Sequence, residues 1–383
     1  MELTKGQSEG LRIAVQRYNA HEPYTVIAGY AGSGKSTLIK YIIHMLDIPE
    51  EEVAYIAYTG KASLVMREKG CPGAMTAHRL LYQVKQREDG TYYFVPKRYI
   101  GDYKIIVLDE CSMLPNDMWE LLLTHNIHVL ALGDPGQLPP VSGNSHILDK
   151  PHIFLSEIVR QALDSPIIRL SMDVREGKYI PYNYKGACRV VQREDIRPEL
   201  LLGADQIICG KNITRHKLNE YMRKLVFGEQ YTEEPQDEDK VICLKNHWNI
   251  VDHNEEPLIN GMIGRINFVE FETENKNPLY HPVMRASFYL DDDSLYGYDY
   301  LQMDYKLFVD KEPTINKDNW KAFPEIPRAL EFDYGYAITA HKAQGSQFEK
   351  IVVFDEWLGD KEYHNRWLYT SVTRASQKLV IVK

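Results

Sequence analysis

A glycine-rich segment near the N-terminus, Gly29 to Ser36, restricts the possible folds of this 383-residue chain more than any other feature. It reads Gly-Tyr-Ala-Gly-Ser-Gly-Lys-Ser and matches the pattern G-x-x-x-x-G-K-[ST] at every specified position. An apolar stretch, 24–28, precedes it, and a predicted helix follows it. An ordinary glycine turn is the alternative interpretation. The strand–loop–helix order favours a loop that binds the phosphates of a nucleoside triphosphate.

Each part of this loop has a role in phosphate binding. Glycines let backbone N–H groups surround the phosphates, and the helix N-terminus adds positive potential. Lys35 is expected to reach the β- and γ-phosphate oxygens of ATP, and the Ser36 hydroxyl to bind Mg²⁺. The other predicted nucleotide contacts in this segment are Gly29, Gly32, Ser33, Gly34 and Thr37.

Apolar stretches of strand length recur along the chain in two groups. The first group comprises 24–28, 53–57, 105–108 and 128–132, and the second comprises 206–209, 336–339, 351–354 and 379–382. Such runs are typical of buried strands in parallel sheets. We therefore predict an α/β fold with two lobes, in which ligands bind beyond the carboxyl ends of the strands.

Two segments interrupt this pattern. Residues 82–101 carry Asp89-Gly90 between β-prone flanks, which predicts a hairpin. Residues 240–330 lack helical periodicity and are rich in Tyr, Phe, Val and glycine turns, which predicts a small β-barrel. The expected domains are a first lobe (1–81 and 102–150), the hairpin (82–101), a second lobe (151–239 and 331–383) and the barrel (240–330).

Acidic and amide side chains follow two of the predicted strands. Asp109 ends the stretch 105–108 and is placed to hold Mg²⁺, while Glu110 can deprotonate an attacking water. A plain solvated turn is the alternative for this pair. Gln137, in the loop after 128–132, is suited to sensing a γ-phosphate or its attacking water, and the alternative there is a proline-stiffened loop without a ligand.

Four segments together resemble an ordered set of known motifs. They are 109–113 (Asp-Glu-Cys-Ser-Met), 133–140, 336–346 and 368–375. In sequence, order and spacing they resemble the motifs of superfamily 1 helicases of the 5′-to-3′, RecD-like type, with the compact phage members nearest. The resemblance implies two RecA-like lobes, a pin hairpin at 82–101 and an SH3-like barrel at 240–330.

The resemblance also implies roles in the ATP site. Arg160 and Arg374 look like the two arginines that the second lobe supplies to the γ-phosphate. Gly345 is similar to a glycine that approaches the nucleotide. Gln7 looks like the residue that reads the adenine edge, although Thr4 and Gln7 also have the spacing of a helix capping box, and both interpretations can hold.

Further residues resemble the family's contacts with single-stranded DNA. In the first of these motifs Tyr58 stands where proline is usual. The aromatics of the hairpin can stack on bases or pack against their own domain. The expected DNA contacts are Thr59, Gly60, Lys61, His78, Arg79, Phe94, Asn212, Arg215, Thr339, His341 and Lys342.

The expected activity is ATP-dependent 5′-to-3′ translocation on single-stranded DNA with unwinding of duplex, and the polarity rests on the resemblance alone. One alternative is a DNA-stimulated ATPase that displaces proteins or remodels strands without unwinding. Another is a binding module that uses ATP only as a shape switch. We expect a monomer with ATP and Mg²⁺ as cofactors. The expected partners are single-stranded and forked duplex DNA, and replication or recombination proteins such as a single-strand-binding protein.

The acidic composition first argues against a nucleic-acid partner, because the net charge is −9. The acidic surplus is local, however: residues 229–330 hold 21 acidic and 10 basic residues, and the remainder holds 33 acidic and 35 basic. The chain outside residues 229–330 therefore has a net charge of +2, and we expect a locally basic groove beside an acidic barrel. Without an apolar signal segment or paired cysteines, the sequence predicts reduced thiols, no zinc site and the cytosol of a bacterium or phage-infected cell.

Overall fold

The computed structural model describes residues 3–86, 92–139, 146–182, 186–252, 257–272, 283–291, 297–311 and 329–383. The helices of these ranges are α1 (Lys5–Asn19), α2 (Lys35–Met45), α3 (Gly60–Glu68), α4 (Ala77–Leu81), α5 (Asn116–Leu123), α6 (Arg160–Leu163), α7 (Pro166–Arg175), α8 (Pro198–Leu202), α9 (Asn212–Phe227), α10 (Tyr305–Val309), α11 (Ala340–Ala343) and α12 (Lys361–Val372). The strands are β1 (Tyr24–Gly29), β2 (Val53–Ala57), β3 (Met75–Thr76), β4 (Tyr82–Gln86), β5 (Tyr92–Pro96), β6 (Ile105–Asp109), β7 (His128–Gly133), β8 (Ile153–Leu155), β9 (Cys188–Val191), β10 (Gln206–Cys209), β11 (Lys240–Cys243), β12 (His247–Val251), β13 (Pro257–Leu258), β14 (Ile263–Glu272), β15 (Val283–Leu290), β16 (Gly297–Asp304), β17 (Phe332–Tyr334), β18 (Ala337–Thr339), β19 (Phe348–Phe354) and β20 (Ala375–Val382).

The first lobe is built on a six-stranded parallel sheet in the order β3-β2-β6-β7-β1-β8. All four strands predicted for this lobe are present. The boundary predicted at residue 150 is wrong, because β8 pairs in parallel with β1 and belongs to this sheet. Its residues Ile153 and Leu155 are buried in the same apolar cluster as Leu38 of α2. A three-residue strand is too short to show a periodic pattern, and packing decides its place.

The second lobe has a parallel sheet in the order β18-β10-β19-β20-β9. The four strands predicted for it are present, and β9 is an addition. The glycine-rich loop follows β1 in the first sheet, and the segment 340–346 follows β18 in the second. Both segments therefore lie at the carboxyl ends of parallel strands. Ligands of open α/β sheets bind at such ends. Along the described ranges, no helix combines the length and apolarity needed to cross a bilayer.

The β-rich insertion forms a five-stranded sheet in the order β16-β15-β14-β11-β17, and each of its pairings is antiparallel. Its end was predicted at residue 330, which is wrong, because β17 pairs with β11 through Val241 and Tyr334. The insertion in the first lobe contains the antiparallel pair β4–β5. Its expected turn at Asp89-Gly90 lies outside the described residues.

A buried ion pair joins the second lobe to the entrance of the β insertion. The guanidinium of Arg223, on α9, donates to both carboxylate oxygens of Asp239, at 2.7 and 2.8 Å. Arg223 also donates to the carbonyls of Glu233 and Glu234. Both partners of the pair are almost fully buried. Each charge is therefore tolerated only because the other is present.

We expect Asp239→Ala to lower the free energy of unfolding by about 3–5 kcal/mol, because it leaves a buried guanidinium uncompensated. Urea unfolding followed by circular dichroism measures this. Glu220→Ala is the matched control, since it breaks the exposed pair between Lys224 and Glu220 one turn away on α9 and should have little effect. Equal unfolding midpoints for the two variants would contradict the prediction.

Candidate active site and nucleic-acid cleft

The glycine-rich loop after β1 wraps around the N-terminus of α2. Gly34, the N-cap of α2, has a left-handed backbone (φ 79°), and a Cβ there would lie 2.2 Å from Nε2 of Gln7. Only glycine fits this position. The Lys35 ammonium donates to the carbonyls of Gly29 (2.6 Å) and Tyr30 (3.2 Å), both in the loop itself. Lys35 is therefore held over the loop where the phosphates are expected.

Gln7 performs the capping function that its spacing allows. The Gln7 N–H donates to the Thr4 hydroxyl (3.2 Å), and the Thr4 N–H donates to the Gln7 side-chain oxygen (3.0 Å). The capping-box interpretation is confirmed. The Gln7 amide also donates to the carbonyl of Ser33 (3.2 Å), so the side chain connects α1 to the phosphate loop. Adenine reading by Gln7 stays a prediction.

Two carboxylates end β6 beside this loop. Burial and the neighbouring Glu110 raise the pKa of Asp109, while Lys35 opposes the shift. The Glu110 N–H donates to Asp109 Oδ1 (2.9 Å). Glu110 itself has a left-handed backbone (φ 50°, ψ 44°), which costs energy for a residue with a side chain. Strain of this kind is concentrated at functional sites.

Gln137 lies between Glu110 of the first lobe and Arg374 of the second. With its amide oriented to satisfy both neighbours, Gln137 Nε2 donates to Glu110 Oε2 (3.3 Å), and its oxygen accepts from Arg374 Nη2 (3.1 Å). Arg374 Nη1 is also 3.7 Å from Glu110 Oε1. The guanidinium is buried and is held by the carbonyls of Thr370 and Ser346. Three residues predicted as catalytic thus meet at one point between the lobes.

A second set of contacts between the lobes was not expected from the sequence. The Tyr369 hydroxyl accepts from the Ala31 N–H (2.8 Å) in the phosphate loop and donates to Asp134 Oδ2 (2.8 Å). Burial raises the pKa of Asp134, and Lys35 and the Tyr369 hydroxyl lower it. Asp134 and Tyr369 lie within recognised motifs, but nothing in their spacing indicates that they touch.

The loop that follows β7 is bonded to the second lobe at Leu138. The Leu138 N–H donates to the Thr370 hydroxyl (2.8 Å) of α12. Its carbonyl accepts from the buried Gln344 amide (3.0 Å), which follows α11. The N–H and the carbonyl of Leu138, the residue after Gln137, are therefore both hydrogen-bonded to the second lobe.

Arg160 and Gly345 lie at different places. Arg160 is the exposed first residue of α6, beside the phosphate loop, where the Val159 N–H donates to the carbonyl of Gly32 (3.0 Å). Gly345 has a positive φ (75°), and a Cβ there would lie 2.9 Å from the Thr59 hydroxyl. The close approach of Gly345 is thus to a predicted DNA-contact residue, and its expected nucleotide contact stays a prediction.

A cleft of about 660 Å³ lies between the two lobes and the β insertion. The insertion contributes Asn246, Asn260 and Gly261, which the sequence did not indicate. Arg79 and Phe94 are not among the lining residues. Most of the predicted DNA contacts do line the cleft: Thr59, Gly60, Lys61, His78, Asn212, Arg215, Thr339, His341 and Lys342.

The positive charge in this cleft is partly balanced by the protein. Arg215 forms an ion pair with Asp333 (2.6 Å). Lys342 donates to the Asn260 side chain (2.8 Å), and burial lowers its pKa. Burial also lowers the pKa of His341, which favours the neutral imidazole at neutral pH. The cleft is thus lined by amides and hydroxyls as well as cations, and Asp333 neutralises part of its positive charge.

Phe94 belongs to an aromatic cluster at the base of the hairpin. The ring of His78 lies 5.8 Å from Tyr58, 5.8 Å from Tyr82 and 5.9 Å from Phe94. Phe94 thus packs on its own domain while remaining 44% exposed. The cluster also explains how Tyr58 is accommodated, because its ring packs on His78 of the second motif.

The residues expected to hold Mg²⁺ fit that ion in donor chemistry. Ser36 and Asp109 offer hard oxygen ligands, and magnesium in such sites takes its other ligands from phosphates and water. Within the described ranges, no group of three or more His, Cys, Asp or Glu side chains could hold a metal ion by itself.

Two parallel sheets, a phosphate-binding loop and an arginine contact between them define a P-loop ATPase fold with two lobes. The family model described as AAA domain matches residues 2–193, and the UvrD-like helicase C-terminal domain matches residues 334–382. The chain belongs to the AAA-domain family. The two matches together place it among the superfamily 1 helicases. The resemblance stated from the motifs is confirmed.

Two curated relatives match part of the chain. The ATP-dependent RecD2 DNA helicase of Deinococcus radiodurans is 31% identical over 181 residues, which are 45% of this chain and 24% of that protein. The ATP-dependent DNA helicase dda of Enterobacteria phage T4 is 25% identical over 193 residues, 46% of this chain and 44% of that protein. The matches thus span less than half of either relative.

A solved structure matches the whole chain in fold. The Pif1 helicase from Bacteroides in complex with ADP-AlF3 and ssDNA has a TM-score of 0.55 and 18% identity, and the match covers 100% of this chain and 92% of that one. The fold is therefore that of two RecA-like lobes.

We expect Tyr369→Phe to lower the free energy of unfolding by about 1–3 kcal/mol, because the buried Asp134 carboxylate and the Ala31 N–H lose a common partner. Urea unfolding measures this change. Tyr363→Phe is the control, since the Tyr363 hydroxyl is 3.5 Å from His341 Nε2, a marginal hydrogen-bond distance. Similar losses in both variants would contradict a specific role for the Tyr369 hydroxyl.

Proposed function

We propose that this chain is an ATP-driven motor that translocates 5′ to 3′ along single-stranded DNA and unwinds duplex. The observation that carries the proposal is the contact of Gln137 with Glu110 and Arg374, because it makes one catalytic arrangement depend on both lobes. A cleft lined by nine of the eleven expected DNA contacts lies between the same lobes. The relatives named helicases support the same activity.

The nucleotide chemistry follows from the positions of the side chains. Backbone N–H groups of the loop and Lys35 would bind the phosphates. Ser36 and Asp109 would hold Mg²⁺, which neutralises charge on the phosphate oxygens. Glu110 would accept the proton of the attacking water, and Gln137 would orient that water. Arg374, and Arg160 on closure, would stabilise charge on the transferring phosphoryl group.

Coupling to DNA would pass through the loop after β7. Gln344 bonds to Leu138 in this loop and also lines the DNA cleft. It is five residues after Thr339, an expected DNA contact. A change in the ATP site that shifts Gln137 would therefore shift the neighbouring Leu138 and the wall of the cleft. ATP binding would close the lobes, and hydrolysis would release them.

The insertions would complete the motor. We propose that β4–β5 is the pin that separates strands and that the sheet of residues 240–334 is an SH3-like barrel on one side of the cleft. Packing of Phe94 against His78 and Tyr82 favours one other candidate, a translocase that displaces proteins without unwinding, because a packed aromatic is less available to split base pairs.

Forked DNA with a single-stranded tail at one end only tests the main proposal. We expect DNA-stimulated ATP hydrolysis and strand release from 5′-tailed duplex. Lys35→Ala should abolish both, because it removes the cation at the phosphates, yet leave single-strand binding largely intact. Release from 3′-tailed duplex alone would reverse the polarity. Stimulated hydrolysis without strand release would favour the translocase.

We expect Glu110→Gln to bind ATP normally but to lower kcat by roughly a hundredfold or more, as loss of a general base does. Rapid-quench ATPase assays and binding of a fluorescent ATP analogue measure the two effects separately. Glu362→Gln, on the exposed part of α12, is the matched control and should retain activity. Normal turnover by the first variant would exclude Glu110 as the base.

A further inference from the structure

One large aromatic side chain stands exposed in the loop between β19 and α12. Trp357 is 62% exposed, although its neighbour Glu356 is buried. The indole Nε1–H donates to the carbonyl of Gly359 (3.0 Å). The ring stacks on the imidazole of His364 at 4.6 Å with an interplanar angle of 20°. One face of the indole is therefore fixed from beneath, and the exposed surface is held in a defined orientation.

The loop that carries Trp357 is tied to the wall of the cleft. Glu356 Oε2 accepts from the N–H groups of Gly210 (2.7 Å) and Lys211 (3.0 Å), and Oε1 accepts from the Thr214 hydroxyl (2.6 Å). Leu358, the residue after Trp357, packs on Gly210. A Cβ added to Gly210 would lie only 2.6 Å from Leu358 Cδ1. Gly210 lines the cleft. The residues before and after Trp357 thus both contact the same cleft residue.

A second connection ends at the same part of the cleft. Gly359 lies against Tyr363, and the Tyr363 hydroxyl is 3.5 Å from Nε2 of His341, another lining residue. Lys211, whose N–H binds Glu356, is exposed beside this loop. The rim of the cleft on the second lobe therefore carries a fixed indole, and the exposed Lys211 is bonded through its N–H to the residue before that indole.

We propose that Trp357 is a base-stacking residue for single-stranded DNA where the strand passes the second-lobe rim of the cleft. This inference rests on the proposed function. An aromatic face beside a cationic backbone site is the combination by which proteins bind single strands without sequence preference. Since the indole is already oriented by His364 and Gly359, little side-chain freedom is lost on stacking.

Anisotropy titrations with a deoxythymidine oligonucleotide and with an abasic oligonucleotide of equal length test this inference. Trp357→Leu, which keeps apolar packing on His364, should weaken deoxythymidine binding roughly fivefold to a hundredfold. Binding of the abasic oligonucleotide should not change, because it offers phosphates but no bases. Trp357→Phe should retain most of the affinity. Tyr300→Leu removes an aromatic of β16 that is still more exposed (72%) and should bind as the wild type does.

Each outcome is decisive. If the wild type binds the deoxythymidine oligonucleotide and Trp357→Leu binds it equally well, the stacking role is wrong and the proposed function stands. Equal losses for both oligonucleotides would show that Trp357 acts only through the shape of the loop. If Trp357→Leu does not fold, DNA quenching of wild-type tryptophan emission that is absent in Trp357→Phe supports stacking, and its presence in both overturns it. A wild type that binds neither oligonucleotide fails the proposed function itself.

Discussion

The side chain of Gln137 lies between a carboxylate and a guanidinium that belong to different lobes, and the remaining features of the site depend on this contact. An amide can satisfy both groups at once, because one end donates to Glu110 and the other accepts from Arg374. A carboxylate in that place would repel Glu110, and a cation would repel Arg374. The two lobes therefore meet through a neutral group that changes partners easily when a phosphate enters.

The same loop carries the contact onward. Leu138, next to Gln137, is bonded at both backbone groups to the second lobe, and Tyr369 joins the phosphate loop to Asp134 at the other end of this loop. Hydrogen bonds among buried groups are costly to leave unmade. Movement of one lobe must therefore carry the loop with it or break several bonds together, which favours two discrete arrangements over a continuous one.

The electrostatics of the cleft differ from a simple basic groove. The acidic surplus belongs to residues 229–330, as the charge count indicates. Yet Asp333, just beyond them, pairs with Arg215, and Glu356 occupies the N–H groups of Gly210 and Lys211. A carboxylate thus pairs with Arg215, an expected DNA contact, and a phosphate binding there would have to displace or share it.

Much of the fold could be predicted from the sequence because the patterns that indicate it are local. The strand lengths and the glycine-rich loop each lie within a few residues, so eight strands were predicted from the sequence. Three of the residues predicted as catalytic, Glu110, Gln137 and Arg374, also meet in the structure. The short strands β3, β8 and β9 were not predicted, because a strand of two to four residues shows no hydrophobic periodicity and long-range packing decides where it pairs. The domain boundaries predicted at residues 150 and 330 were wrong for the same reason. By itself the sequence determined that the glycine-rich loop and Asp109, the residues expected at the phosphates and Mg²⁺, lie at strand ends. Only the tertiary structure decided that Tyr369 bonds the phosphate loop and that Asp333 neutralises Arg215, because each of these contacts joins residues more than a hundred positions apart. The exposed position of Trp357 at the rim was likewise decided by the tertiary structure, because residue spacing does not encode the orientation of a single side chain in a loop.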